Sequence, residues 1–274
     1  MMNRFWTFRE KEDVIIPEKK KFSEVFPFLT DNKKHVLSIV GAGGKTTLLY
    51  AMATFLSQQH RKVLVTTSTH IRKPEKTHYA KDVAMVYSLW KKQKFAVIGV
   101  ETANNKLQIQ PEVSMFLDNT DIMENCINDS HGWNQVLHDA DVILMEADGS
   151  KRLPCKAPAE HEPVIMEKSD IVMDVVGLSA VNQAVKDCCC RLEQVKTLLQ
   201  VPREHLLQPR DIAKLVSSTE GGRKNVGNRD YYIVLNQCDS EMELTYAQAV
   251  VKELPEELLH NCVATAFDKQ SVTV

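Results

Sequence analysis

The chain has 274 residues, a net charge of −2 and 43% hydrophobic residues. That length fits one α/β domain with an insertion, and a near-neutral charge without a long basic run excludes nucleic acid as an electrostatically favoured partner. No apolar run reaches the length of a membrane span, and the opening MMNRFWTFREKED lacks the apolar core of a signal peptide. The seven cysteines, Cys126, Cys155, Cys188, Cys189, Cys190, Cys238 and Cys262, contain no CxxC pair, so a reducing cytoplasm is expected and a disulfide framework is not.

Residues 1–35 read as a peripheral segment, with a short strand at 14–16 and a short helix at 22–29. The stretch VLSIVGAGGKTTLL, residues 36–49, then reads as strand, phosphate-binding loop and helix. Gly41, Gly43 and Gly44, with Ala42 among them, let backbone N–H groups close around phosphate oxygens. The helix start at Lys45, Thr46 and Thr47 adds free N–H donors and the positive end of a dipole. Lys45 would reach the β/γ-phosphates and the Thr46 hydroxyl would ligate Mg²⁺. Only Ala42 and Gly43 separate Gly41 from Gly44, whereas the usual loop has four residues there. The compact spacing resembles the loop of Mur-type ligases more than that of Ras-like proteins.

Leu48, Leu49, Met52, Phe55 and Leu56 recur at helical spacing, which predicts a helix over 46–59 with one face on a sheet. KVLVTTST, residues 62–69, reads as a second strand. Its tip, Thr66 to Thr69 followed by His70, either helps hold Mg²⁺ or phosphate or simply finishes a strand with β-branched residues. Residues 72–130 read as a variable insertion for substrate or partner binding. Strands are expected at 83–87 and 95–100, with 106–110 pairing back across the Ala103-Asn104-Asn105 turn. Pro111 opens a helix to about Asn119, and 133–140 forms another.

DVILM, residues 141–145, is a buried strand ending in Glu146, Ala147, Asp148, Gly149 and Ser150. An acid at the tip of an apolar strand downstream of a phosphate loop is the Walker B arrangement. Either Glu146 or Asp148 would hold Mg²⁺, Glu146 could instead orient the attacking water, and Asp148-Gly149 resembles the γ-phosphate-sensing turn of G proteins. The following KRLPCKAPAEHEPVI, residues 151–165, is kept from regular helix by Pro154, Pro158 and Pro163. There Lys151, Arg152 and Lys156 would bind an anionic group, and His161 with Glu162 would serve as acid/base or metal ligands; the alternative is a solvated charged loop.

A strand over 170–176 and a helix over 187–200 follow. Cys188, Cys189 and Cys190 open that helix as small apolar fillers, since helical neighbours diverge by about 100°. A helix at 209–217, a surface turn at 220–224 and the strand YYIVL at 231–235 lead to Asn236-Gln237-Cys238-Asp239. In G proteins an Asn-Lys-x-Asp sequence at this place reads guanine. The Asp carboxylate, here Asp239, accepts from the base N1–H and amine, and Asn236 would tie loops together. Gln237 stands where the lysine that covers the base is usual. A helix over 241–254, stopped by Pro255, and a strand over 262–266 close the chain, with Thr265-Ala266 placed for a second base-contacting loop.

VGAGGKTTL, VTTSTHI, EADGSKRLPCKAPAEHEPVI and VLNQCD together resemble the YqeC family, the long third block being the most specific. The resemblance implies a role as accessory protein for selenium-dependent molybdenum hydroxylases, with such an enzyme or its cofactor-maturation proteins as partner. The fold class expected is α/β, a P-loop NTPase-like three-layer sandwich with a mainly parallel sheet, as a single domain. The function expected is Mg²⁺-dependent nucleotide binding and hydrolysis, GTP favoured over ATP, with Lys45, Glu146, Asp148 and His161 as catalytic candidates. The alternatives are a kinase or ATP-dependent ligase acting on a small anionic cofactor precursor, and a delivery module that binds without turnover.

Overall fold

The computed structural model describes residues 3–74, 77–102, 105–118 and 130–268. The Ala103-Asn104 part of the expected turn, the Asn119 helix end and Cys126 lie outside them. Nine strands form the main sheet: β1 Arg4–Lys11, β2 Val14–Lys20, β3 His35–Gly41, β4 Val63–Thr67, β5 Ala96–Val97, β6 Val142–Glu146, β7 Ile171–Gly177, β8 Asp230–Asn236 and β9 Cys262–Ala266. Their spatial order is β2-β1-β9-β8-β7-β3-β6-β4-β5. Strands β3 to β9 run parallel to one another, and the β1–β2 hairpin adds antiparallel to β9 at one edge. This is the α/β, mainly parallel layer sandwich of a P-loop-like fold.

The central strands are buried on both faces, so they read as nearly continuous apolar runs. Alternation decides which face each residue serves. In β7, Ile171, Met173 and Val175 pack on the side of the helix Lys45–Gln58, while Val172 and Val176 pack on the other. That second side is covered by the helices Leu192–Leu199, Pro209–Ser217 and Glu241–Lys252. Leu48, Leu49, Met52, Ala53 and Leu56 of the helix Lys45–Gln58 are fully buried. Phe55 turns instead to Phe22, in an aromatic group that includes Phe5, Phe26 and Phe267. Among the described residues no helix is long and apolar enough to cross a membrane.

Several local expectations change. Val83–Lys91 is a helix, not a strand: the Asp82 carboxylate accepts from Met85 N at 2.8 Å and caps it, which outweighs the β-branched and aromatic composition. The expected strand at 95–100 is cut at Gly99. Ala96–Val97 stays in the main sheet, and Val100–Thr102 joins a small antiparallel sheet with Lys106–Gln108 and Ile71–Arg72. The cysteines do not open a long helix. Val185–Cys188 is a short helix, Cys189–Cys190 is a strand, and Arg191, with φ 62° and ψ 57°, starts the helix Leu192–Leu199 afresh. Cys189–Cys190 pairs in parallel with Cys155–Lys156, so the segment after Asp148 is docked rather than free. All three consecutive cysteines are buried, as filler side chains should be.

Candidate nucleotide site

The loop between β3 and the helix Lys45–Gln58 sits at the carboxyl end of the parallel strands. Its glycines are demanded by close approach. A Cβ on Gly43 would lie 2.1 Å from Gly177 N, and one on Gly44 would lie 2.3 Å from Asn236 Nδ2. Both also hold left-handed backbone, with φ +75° and +119°. The expectation that all the loop amides face phosphate narrows here. Gly41 N donates to Asp148 Oδ2 at 3.0 Å, Ala42 N to Val175 O at 2.7 Å and Gly43 N to Leu153 O at 3.1 Å. The first helical bond is Leu48 N to Gly44 O. The N–H groups of Lys45, Thr46 and Thr47 precede it and are the donors a helix start presents to an anion.

Lys45 is buried, and its Nζ donates to Gly41 O at 2.6 Å while pairing with Asp148 Oδ1 at 3.0 Å. From Asp148 a chain of ion pairs continues inward. Lys156 Nζ lies 2.9 Å from Asp148 Oδ2 and 3.0 Å from Glu162 Oε2, and donates to Gly149 O. Arg191 grips the Glu162 carboxylate with two bonds, Nε to Oε2 at 3.1 Å and Nη2 to Oε1 at 2.7 Å. Ala159 N donates a fourth bond to that carboxylate, at 3.2 Å. Burial pushes the Glu162 carboxyl up, but Arg191 and Lys156 outweigh it and hold it at about 2. Each ammonium in this chain has carboxylate and carbonyl acceptors, the condition under which a buried charge is tolerated.

The two acidic candidates separate by partner. Glu146 stands with the hydroxyl expected from the sequence to ligate a metal: Thr46 Oγ1 donates to Glu146 Oε2 at 2.7 Å. Asp148 stands with the two lysines. Burial pushes the Glu146 carboxyl up against the pull of Lys45. Its carbonyl is held from β4, by Thr67 Oγ1 at 2.8 Å and Ser68 N at 3.1 Å. The strand tip singled out in the sequence thus meets the main chain of Glu146 through Thr67 and Ser68, as neighbouring parallel strands do, and not its carboxylate. Thr66 Oγ1, Thr69 Oγ1 and Tyr50 OH are buried without hydrogen-bond partners among the described residues. Thr46 and Glu146 suit Mg²⁺, a hard ion that takes oxygen ligands and is held by one or two carboxylates together with phosphate and water. Among the described residues no group of three or more His, Cys, Asp or Glu could hold a metal ion unaided, which that mode of binding does not require.

At the far end of the loop, Asn236 closes β8. Its Nδ2 donates to Gly43 O at 2.7 Å, and its Oδ1 accepts from Thr265 Oγ1 at 2.8 Å. Cys238 N donates to Thr265 O at 3.0 Å, so the Asn236-to-Asp239 turn is laced to the end of β9; Thr265 and Ala266, expected in a base-contacting loop, are strand residues paired with β1. Asp239 is exposed beside them. Gln237, at φ 63°, turns its Oε1 to Ser179 Oγ at 2.5 Å and against Gly177.

Lys151, Arg152 and His161 are exposed and stand outside the buried ion-pair chain. Their neighbours Lys156 and Glu162 are the residues it takes up. The prolines around them, Pro154, Pro158 and Pro163, were the only local signal of a fixed path. Arg191 and the fully buried Asp174 had none. Asp174, on β7, meets the Tyr231 hydroxyl at 3.1 Å, and burial pushes its carboxyl up to about 7.

The YqeC protein family model matches residues 37–193. The chain is 33% identical over 217 residues to the Uncharacterized protein YqeC of Escherichia coli (strain K12), covering 75% of this chain and 78% of that one. The chain belongs to the YqeC family. The matched YqeC region holds the loop, Glu146, Asp148, Lys156, Glu162 and Arg191, and ends before Asn236 and Asp239. Among solved structures, chloroplast FtsY from Physcomitrella patens is similar at TM-score 0.37 and 16% identity, over 92% of this chain and 71% of that one.

Proposed function

We propose that this YqeC-family protein is a Mg²⁺-dependent nucleoside triphosphatase or switch that prefers guanine nucleotides. The observation that carries the reading is Asn236, which joins Gly43 of the phosphate loop to Thr265 at the end of β9, beside the turn that holds Asp239. A base-reading loop needs such a tie, because base and phosphates of one nucleotide must be met at a fixed separation. In this reading Lys45 and the helix-start amides bind the β/γ-phosphates, and Thr46 with Glu146 holds Mg²⁺. Asp239 accepts from the guanine N1–H and amine. Bound Mg²⁺ would neutralise charge on the β- and γ-oxygens. Asp148 keeps the Lys45 ammonium aimed, through the 3.0 Å pair. The client implied by the family resemblance, a molybdenum hydroxylase or its maturation proteins, would read the nucleotide state.

The test is equilibrium binding and turnover of GTP, ATP and XTP with and without Mg²⁺. GTP should bind most tightly, and Asp239→Asn should move the preference towards xanthine. A Lys45→Ala protein that binds and turns over nucleotide like the wild type overturns the reading. Tight binding without turnover, alone or with a client, would reduce it to a delivery module.

A further inference from the structure

We infer that Arg4 is a specificity-determining residue of the nucleotide site, lying against the face of the base where G proteins use the lysine that Gln237 replaces. The inference rests on the guanine reading above.

Because β1 runs antiparallel to β9, it begins at the end of the sheet where the parallel strands finish. The register sets Arg4 opposite Ala266 and Phe5 opposite Thr265, so the first residue of the hairpin is brought to the base-side turn. Arg4 Nη2 donates to Asp239 O at 2.6 Å, across 235 positions of sequence. The guanidinium is half-buried and lies over the Trp6 ring, its Cζ 5.6 Å from the centroid. Two contacts thus place a planar cation beside the candidate base reader. Planarity matters, since a guanidinium lies flat on a π-face and keeps its edge N–H groups for hydrogen bonds, whereas an ammonium meets the same face only as a point charge. Gln237 is engaged elsewhere, through Ser179 and Gly177, on the side of β7 rather than of β9.

The competing explanation is that Arg4 only pins the hairpin to the 239 turn. Base and phosphate contributions separate the two. Calorimetric titrations would compare GTP with inorganic tripolyphosphate on wild type, Arg4→Gln, Arg4→Lys and Lys45→Ala. A lost cation–π contact should weaken GTP roughly 3- to 30-fold in Arg4→Gln with tripolyphosphate unchanged. Arg4→Lys, which keeps the charge and loses the plane, should fall between. Lys45→Ala should weaken both ligands. Arg4 variants that bind GTP within twofold of wild type overturn the inference. So does an Arg4→Lys protein that loses GTP and tripolyphosphate equally, the mark of a structural pin. Wild type that binds neither ligand overturns the nucleotide reading and this inference with it, whereas failure of the Arg4 variants alone leaves that reading standing.

Discussion

Asn236 and Gly43 are 193 positions apart, and a hydrogen bond of 2.7 Å joins them. The same side chain accepts from Thr265, so one buried amide at the end of β8 ties the loop after β3 to the end of β9. Asn236→Ala would leave the Gly43 carbonyl and the Thr265 hydroxyl without this partner. At about 1–3 kcal/mol for each of the two buried groups left unsatisfied, unfolding free energy should drop by roughly 2–6 kcal/mol. Thr265→Val removes only one of the two bonds and should cost less. Urea denaturation of both variants and of the double mutant checks this. Strictly additive losses would mean that the two side chains are not coupled.

The Thr46–Glu146 pair predicts how Mg²⁺ enters binding. Glu146→Gln keeps the shape and the Thr46 bond but removes the charge that would draw a divalent cation. Wild type should bind nucleotide more tightly with Mg²⁺ than in EDTA, and in Glu146→Gln that ratio should collapse towards one. Asp148→Asn should instead lower affinity with and without the ion, because its partners are Lys45 and Lys156. Titrations in both buffers distinguish the roles; a preserved Mg²⁺ dependence in Glu146→Gln would remove Glu146 from the metal site.

What was legible in the sequence was whatever depends on local chemistry. The loop at Gly41 to Thr46 needs glycine, lysine and hydroxyl in a short span, and strand and helix flank it in register. Glu146 and Asp148 were both visible as acids past a strand end. Their division of labour was not, because it is set by Thr46 on one side and Lys45 with Lys156 on the other. Asp82 was an available cap signal at Val83, and the β-branched composition of that stretch masked it. Arg191 carried no signal inside the helix expected over 187–200, since its partner Glu162 lies in a proline-rich loop that only tertiary pairing of Cys155–Lys156 with Cys189–Cys190 brings close.

The Glu162 cluster predicts a loss of stability in acid. Its carboxyl is held at about 2, below its ordinary value of 4.5. A depressed carboxyl contributes stability that is present above pH 4.5 and lost as the pH falls towards 2. The contribution is on the order of 3 kcal/mol. Arg191→Met should shrink that acid-sensitive part, since it removes both guanidinium bonds. Glu162→Ala strands Lys156 beside a single carboxylate and should cost about 3–5 kcal/mol at neutral pH. Denaturation midpoints from pH 2 to 6 check both; a wild-type curve that is flat over that range would contradict the assignment.

Asp174 predicts the opposite slope. Burial pushes its carboxyl from 3.8 to about 7, and the Tyr231 hydroxyl lies 3.1 Å from Oδ2 and 2.7 Å from Val216 O. A hydroxyl has one proton to give. With Asp174 neutral, the carboxyl donates to Tyr231 and Tyr231 donates to Val216, so every bond in the chain is satisfied. With Asp174 ionised, Tyr231 must choose between two acceptors, and a charge sits unpaired in the core. A raised carboxyl contributes stability that is fully present below pH 3.8 and lost as the pH rises to about 7, on the order of 4 kcal/mol. Asp174→Asn keeps a donor for Tyr231 and cannot ionise. Its stability should therefore lack the decline between pH 4 and 7 and should exceed that of wild type at pH 8. Parallel pH profiles for the two proteins, measured by urea denaturation, would show that Asp174 is not the group that titrates.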